Sequence, residues 1–274
     1  MILQIKLLIA KWLCGIVPYK CINDRWYHLP FGVSRVFWPW KRHSVEPYEL
    51  DAIKKYGTHG GVFLDIGANA GLLTLAMRDW AGPAARIYAV EPNPHTYELL
   101  SKVMVLNRVN PVGLWAIAIA DRCGTVKFQV SRRDPLGVMS SMKSNDPDGF
   151  EIEVPCMTLD TLCQHWDRLD YIKVDVEGAE VLVLTGARAT LTRLRPVVQV
   201  EVHGLFLGAF GHTVAELFSF MDECGYVAIN AVTSSETTSD AFMADTGLDV
   251  NHPITGKSMR HSGYGHLLFR PINE

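Results

Sequence analysis

Val62-Phe-Leu-Asp-Ile-Gly-Ala-Asn-Ala-Gly71 decides the fold of this 274-residue chain. Four apolar residues around one carboxylate make a buried-strand pattern. A short glycine turn follows at once, and Leu72–Trp80 then reads as a helix. Strand, tight turn and helix in that order open an α/β sheet, in which ligands collect at the carboxyl ends of the strands. The loop over 67–71 is therefore a candidate ligand site.

Outward from that unit, short β-branched runs alternate with longer helical ones, the signature of a doubly wound α/β fold. Strands are expected near 62–66, 86–91, 112–119, 170–175, 196–202, 226–230 and 264–270. Helices are expected near 71–80, 95–107, 179–193 and 213–224. Two β-like runs, Thr125–Val130 and Phe150–Pro155, flank a polar stretch and read as a hairpin inserted after the third strand. Thr158 to Arg168 reads as a further helix, with Thr158 or Asp160 to cap it. The stretches 131–149 and 231–263 are rich in Ser, Thr, Asp, Gly and Pro and are expected to be mobile loops. The chain divides into a basic, aromatic helical extension over 1–44 and a main domain over 45–274, with its core at 60–230 and an insertion at 231–263.

The loop does not fit a dinucleotide. Counting from Gly67, the second and third fingerprint glycines are replaced by Asn69 and Leu72. Asp65, just before the turn, would repel a pyrophosphate. S-adenosylmethionine presents an ammonium and a sulfonium there, and its carboxylate could be met by N–H groups of Gly67, Ala68, Asn69 and Gly71 and by the helix N-terminus. Glu91, 91 − 65 = 26 residues beyond Asp65 and followed by Pro92, ends the second strand, where a carboxylate accepts from ribose hydroxyls. That supports adenosine without choosing its cofactor; a tight turn with a surface glutamate is the plain alternative. Asp121 falls where an adenine amine would lie, or is an ordinary turn aspartate.

These segments resemble FkbM-type methyltransferases. The resemblance is carried by Phe63–Gly71, Val90-Glu-Pro-Asn93, the Ala118–Gly124 turn, Tyr171-Ile-Lys-Val-Asp-Val-Glu-Gly-Ala-Glu180 with Leu184-Thr-Gly-Ala after it, and Pro196–Glu201. It spans about residues 60–230. It implies a class I methyltransferase (Rossmann-like) sheet of seven strands, the last antiparallel, and O-methylation of a hydroxyl on a sugar, glycan or secondary metabolite. Ser140-Ser141 matches serines that such proteins often carry near the cofactor, or else is a flexible polar loop.

Asp175, Glu177 and Glu180 follow the fourth strand, and Glu201 and His203 end the fifth on one side of it. Strand alternation is not expected to aim the first three at one spot. Asp175 is expected to face the cofactor's methyl group, Glu177 the substrate, and Glu180 to complement its helix dipole. His203 is expected as general base, oriented by Glu201 or Asp175. The competing readings are a Mg²⁺ or Mn²⁺ site of Asp175, Glu201 and His203, and a merely structural histidine. The other histidines show no metal spacing and are set aside. N-methylation is disfavoured because no N/D-P-P-Y/F motif follows the fourth strand. Two rivals stand: a dinucleotide or sugar-nucleotide enzyme, and a non-catalytic cofactor-binding module.

Composition narrows the rest. A net charge of −3 gives no basic footprint for nucleic acid. Six scattered cysteines without a C-x-x-C pair suit a reducing cytoplasm. Residues 1–44 hold seven Lys/Arg against one acid, with four of the seven tryptophans. That extension is expected to pack on its own domain or on a second subunit, as in a homo-oligomer; peripheral contact with an anionic membrane surface is the alternative.

Overall fold

The computed structural model describes residues 18–34, 42–43, 47–110, 113–130, 149–246 and 264–272. Its strands are β1 (Tyr19–Ile22), β2 (Arg25–His28), β3 (Arg42–His43), β4 (Val62–Ile66), β5 (Arg86–Val90), β6 (Gly113–Trp115) and β7 (Ala118–Ile119). There follow β8 (Gly124–Val130), β9 (Phe150–Met157), β10 (Tyr171–Val174), β11 (Val197–His203), β12 (Tyr226–Asn230), β13 (Ser235–Glu236) and β14 (Tyr264–Pro271).

The main sheet runs β13-β12-β14-β11-β10-β4-β5-β6. Strands β4, β5, β6, β10 and β11 are parallel. β14 runs antiparallel between β11 and β12. Leaving out β13, the spatial order is third, second, first, fourth, fifth, seventh, sixth. The order reverses between β4 and β10, which opens a crevice at their carboxyl ends. β4 and β10 have no exposed residue because helices cover both faces, so apart from Asp65 and Lys173 their sequences are apolar rather than alternating. Each fully buried Phe, Leu or Ile there contributes roughly 1.5–3 kcal/mol.

Among the described residues the sheet has eight strands, not seven. Asn230 Oδ1 accepts from the N–H of Val232 and Thr233, and Ser234 N–H donates to Asn230 O at 2.8 Å. This tight turn folds Ser235–Glu236 back onto β12. The helix Ser239–Thr246 follows, with Phe242 fully buried against Phe218 and ring centroids 6.0 Å apart. The first part of the expected mobile loop is thus ordered around one aromatic anchor; 247–263 lie outside the described residues, as do 131–148 with Ser140-Ser141.

Other boundaries differ for local reasons. The third strand divides: β6 edges the main sheet, while β7 joins β9 and β8 in a three-stranded sheet, β8 and β9 pairing antiparallel. The helix expected over 179–193 breaks into Glu180–Thr185 and Arg188–Leu194 at Gly186, where a Cβ would sit 2.1 Å from Ala120 O. The helix after Thr158 shortens to Leu159–Leu162, and Asp160 instead accepts from the N–H of Ala189 and Thr190 at the start of the later helix.

The described part of the N-terminal extension is not the helical segment expected. Asn23 and Asp24, both left-handed (φ 49° and 62°), close a two-residue hairpin between β1 and β2. Its inner face, Ile22 and Tyr27, packs with Leu29 and Val33 on Ala68, Leu75, Leu100 and Val103. Tyr27 Oη donates to Asp79 Oδ2 at 2.8 Å. The hairpin therefore braces the back of the glycine loop. Only the short helix Phe31–Ser34 is helical in 18–34, and residues 1–17 lie outside the described residues. Among the described residues no helix is long and apolar enough to cross a membrane.

Candidate active site

A cavity of about 260 Å³ opens at the β4/β10 crevice. One wall is the turn after β4. Gly67 has φ 80°, and a Cβ on it would lie 1.7 Å from Asp175 O, so only glycine lets this turn pass the exit of β10. Gly67 and Ala68 N–H both donate to Val90 O at 3.0 Å. Asn69 N–H donates to Glu91 Oε2 at 2.9 Å, Ala70 N–H to Asn69 Oδ1, and Gly71 N–H to Ala68 O. The turn's amides, expected to receive a ligand carboxylate, are thus already engaged inside the protein. Gly71 (φ 81°) does not line the cavity. It lets two helices approach, since a Cβ would meet Leu100 Cδ1 at 2.5 Å and Met104 Cε at 2.8 Å.

Asp65 lines the cavity, 2% exposed, and accepts from Thr74 Oγ1 at 2.5 Å. Burial pushes its carboxyl up to about 6, against the Thr74 hydrogen bond and the Lys173 charge. Glu91, with Pro92 beside it, also lines the cavity; its Oε1 accepts from Asn93 N–H at 2.8 Å. Burial pushes Glu91 up to about 7 despite its two backbone hydrogen bonds. A carboxylate has about four acceptor sites, so room remains for a ligand hydroxyl.

Asp121 is not in this cavity. β7 leaves the main sheet and carries the following turn with it, so Asp121 pairs with Arg122 at 3.2 Å and borders a separate surface groove. The cavity wall in its place is apolar: Ile117, Ala118, Ile119 and Phe128.

The opposite wall gathers the charges. Lys173, 1% exposed on β10, has Nζ 3.5 Å from both Asp175 Oδ2 and Glu201 Oε2. Glu177 and Gly178 are left-handed, with φ 52° and 102°, and a Cβ on Gly178 would lie 2.6 Å from Phe206. That turn breaks strand alternation and, against expectation, brings Asp175, Glu177 and Glu180 around one group, His203. His203 Nδ1 lies 3.2 Å from Glu180 Oε1; Nε2 lies 3.5 Å from Glu177, 3.7 Å from Glu201 and 3.8 Å from Asp175. Glu180 is fully buried and also accepts from Gly178 N–H, so it holds the histidine as well as opening a helix.

Burial disfavours the His203 cation, but the Glu180 hydrogen bond and the charges of Glu177 and Asp175 outweigh it, raising the imidazole to about 10. Burial and the surrounding acids raise Glu177 to about 8. Burial, then Asp175, also raises Glu201. Asp175 stays below the usual carboxylate range because Lys173 and His203 outweigh its burial.

The expected metal trio of Asp175, Glu201 and His203 divides into two groupings. Ligand atoms of Asp175, Glu177 and His203 come within 4.8 Å of one another; those of Glu201 do so with Glu49 and His266. Glu49, from the helix Pro47–Tyr56, and His266, from β14, are not legible as partners in the sequence, and neither is the role of Lys173. A lysine between Ile172 and Val174 in a buried strand was the available signal, because a buried ammonium requires carboxylates.

A parallel-cored sheet in this order, with a carboxylate-lined cavity at the reversal of strand order, defines the architecture of a class I methyltransferase. Residues 65–228, more than half of the chain, match the family described as Methyltransferase FkbM domain, and the chain belongs to that family. It is 30% identical over 153 residues to the 2-O-methyltransferase NoeI of Sinorhizobium fredii (strain NBRC 101917 / NGR234), covering 49% of this chain and 60% of that protein. It is also similar to the methyltransferase FkbM from Methylobacillus flagellatus KT, at 14% identity and TM-score 0.45 over 77% of this chain and 44% of that one. Fibrillarin from Aeropyrum pernix, solved with S-adenosyl-L-methionine, aligns at 15% identity and TM-score 0.41 over 81% of this chain and 74% of that one. The chain thus spans less than two thirds of the first relatives it matches.

Proposed function

We propose that this protein transfers the methyl group of S-adenosylmethionine to a hydroxyl oxygen of a sugar, glycan or secondary metabolite. The observation that carries the reading is the cavity itself: carboxylates on both walls, Asp65 and Glu91 facing Asp175 and Glu177, with an apolar side at Ile117–Ile119. That donor set suits a cationic sulfonium with a ribose and a flat base, and repels a pyrophosphate. NoeI's description as a 2-O-methyltransferase supports oxygen as the acceptor atom.

When bound, the cofactor supplies an electrophilic methyl group, leaving as S-adenosylhomocysteine. The chain's own residues do the rest. Asp65 and Glu91 attract positive charge and accept from ribose hydroxyls, and the apolar side takes the adenine. The acceptor oxygen gains the methyl and loses its proton, which needs a base at the cavity wall. The expected base, His203, is 2% exposed with Nδ1 turned to Glu180 and carboxylates in front of Nε2. Glu177, 19% exposed at the cavity and raised to about 8 by its burial, is the more basic carboxylate there, since Lys173 and His203 hold the more exposed Asp175 low. We therefore assign the proton to Glu177 and give His203 the task of holding Glu177, Asp175 and Glu201 in place. Aligning the two reactants and excluding water contributes on the order of 7–11 kcal/mol when the alignment is ideal.

Calorimetry with S-adenosylhomocysteine and with NADH tests the cofactor assignment. Saturable binding of the first and none of the second is expected; the reverse would return the chain to a dinucleotide enzyme.

A further inference from the structure

We infer that Glu49, Glu201 and His266 form a binding site for one divalent transition ion of the manganese or zinc class. Three separate elements bring them together. Glu49 stands in the first turn of the helix Pro47–Tyr56, Glu201 near the end of β11, and His266 directly opposite Glu201 on β14. Glu49 and His266 lie outside the matched span 65–228.

The three side chains stand close enough together to share one ion. Each residue offers one ligand atom, and the three atoms lie within 4.8 Å of one another. His266 Nδ1 and Glu49 Oε1 form an ion pair at 2.9 Å, poorly aligned for a hydrogen bond. Two atoms bonded to one ion at about 2.1 Å and about 90° apart sit about 3.0 Å from each other. Glu49 is only 1% exposed, and its Oε2 lacks a partner among the described residues. An orphaned carboxylate oxygen at that depth is costly unless a cation meets it.

Charge and donor type agree. Asp175 and Glu201 both lean on Lys173, and Glu49 adds a third carboxylate to the same corner. Two carboxylates and one imidazole suit manganese or zinc better than magnesium or calcium, which favour oxygen alone. In the neighbouring trio of Asp175, Glu177 and His203, by contrast, His203 Nδ1 is held by Glu180, and none of the three carries a buried side-chain atom without a partner among the described residues. An ion at Glu49, Glu201 and His266 would tie the upstream helix and the last strand to β11, and fix Glu201, which lines the cavity.

The test is metal content and affinity of the full chain, stripped with chelator and titrated with MnCl₂ or ZnCl₂ in the absence of cofactor. One equivalent should bind and raise the thermal midpoint. Glu49→Gln and His266→Ala should each weaken binding about tenfold or more, and the carboxamide variant, close to Glu in shape, should keep its metal-free midpoint near wild type. Asp175→Asn should retain the ion. Absence of binding by the wild-type chain at tens of micromolar ion would overturn the inference, and so would an ion lost in Asp175→Asn but kept in Glu49→Gln and His266→Ala.

Discussion

The two walls of the cavity are built on opposite principles. The glycine-turn wall is neutralised by backbone: the N–H groups of Gly67, Ala68, Asn69, Ala70 and Gly71 all have acceptors within the protein, and Glu91 accepts two amide hydrogens. The opposite wall is balanced mainly by side chains, with four carboxylates around His203 and two of them also on Lys173. Backbone amides fix the shape of the turn one hydrogen bond at a time. A cluster of buried charges is fixed only jointly, so removing one member disturbs the rest. The first wall suits holding an invariant cofactor; the second suits chemistry.

Changes at the second wall should therefore separate turnover from cofactor binding. Glu177→Gln is expected to lower kcat by about 100-fold or more, the usual contribution of a positioned base, while the affinity for S-adenosylhomocysteine by calorimetry stays within about threefold. Loss of binding in parallel with kcat would break the distinction between the walls.

Changes at the first wall should act on the fold. Gly67→Ala adds a Cβ against fixed backbone at Asp175 and should cost about 3 kcal/mol or more in denaturant unfolding. Gly71→Ala meets only the flexible ends of Leu100 and Met104 and should cost about 1–2 kcal/mol. Equal costs would mean that the turn does not depend on its closeness to β10.

The same wall has a pH signature. Asp65 and Glu91 are raised in the folded state, to about 6 and about 7, so the folded protein holds their protons more tightly than the unfolded chain. Their contribution is fully present below the unfolded carboxylate range and is lost as pH rises through 6 to 7. The cofactor-free thermal midpoint should fall across that window, and Glu91→Gln should flatten the fall. An unchanged slope in that variant would contradict the assignment. The smallest effect belongs to Asp121→Ala, outside the cavity, which should leave S-adenosylhomocysteine affinity within about twofold; a larger loss would put the adenine contact back on Asp121.

Legibility followed the same division. β4, the glycine turn and Glu91 were readable because strand, turn and helix signals lie within one short window, and β10 because an apolar run ending in acids is local too. Register along β11 also placed Glu201 and His203 on one side. What escaped depends on left-handed backbone or on distant pairing. Glu177 and Gly178 redirect the acids after β10, and nothing in the strand period announces it. Asn23-Asp24 makes a hairpin from a segment whose tryptophans and basic residues suggested an amphipathic helix. Glu49 and His266 meet only because β14 inserts beside β11 and the upstream helix packs there, which residue spacing does not encode. Ser234 and Phe242 order part of a stretch whose composition reads as loop.

The most direct measurement is methyl transfer itself. The full chain should be incubated with S-adenosylmethionine carrying a labelled methyl group and a panel of sugar, glycan and phenolic hydroxyl acceptors, and the products read by mass spectrometry. A labelled methyl ether is expected on at least one acceptor, with an equal amount of S-adenosylhomocysteine formed and both falling about 100-fold or more in Glu177→Gln. Label on nitrogen or carbon, or full activity in Glu177→Gln, would contradict it.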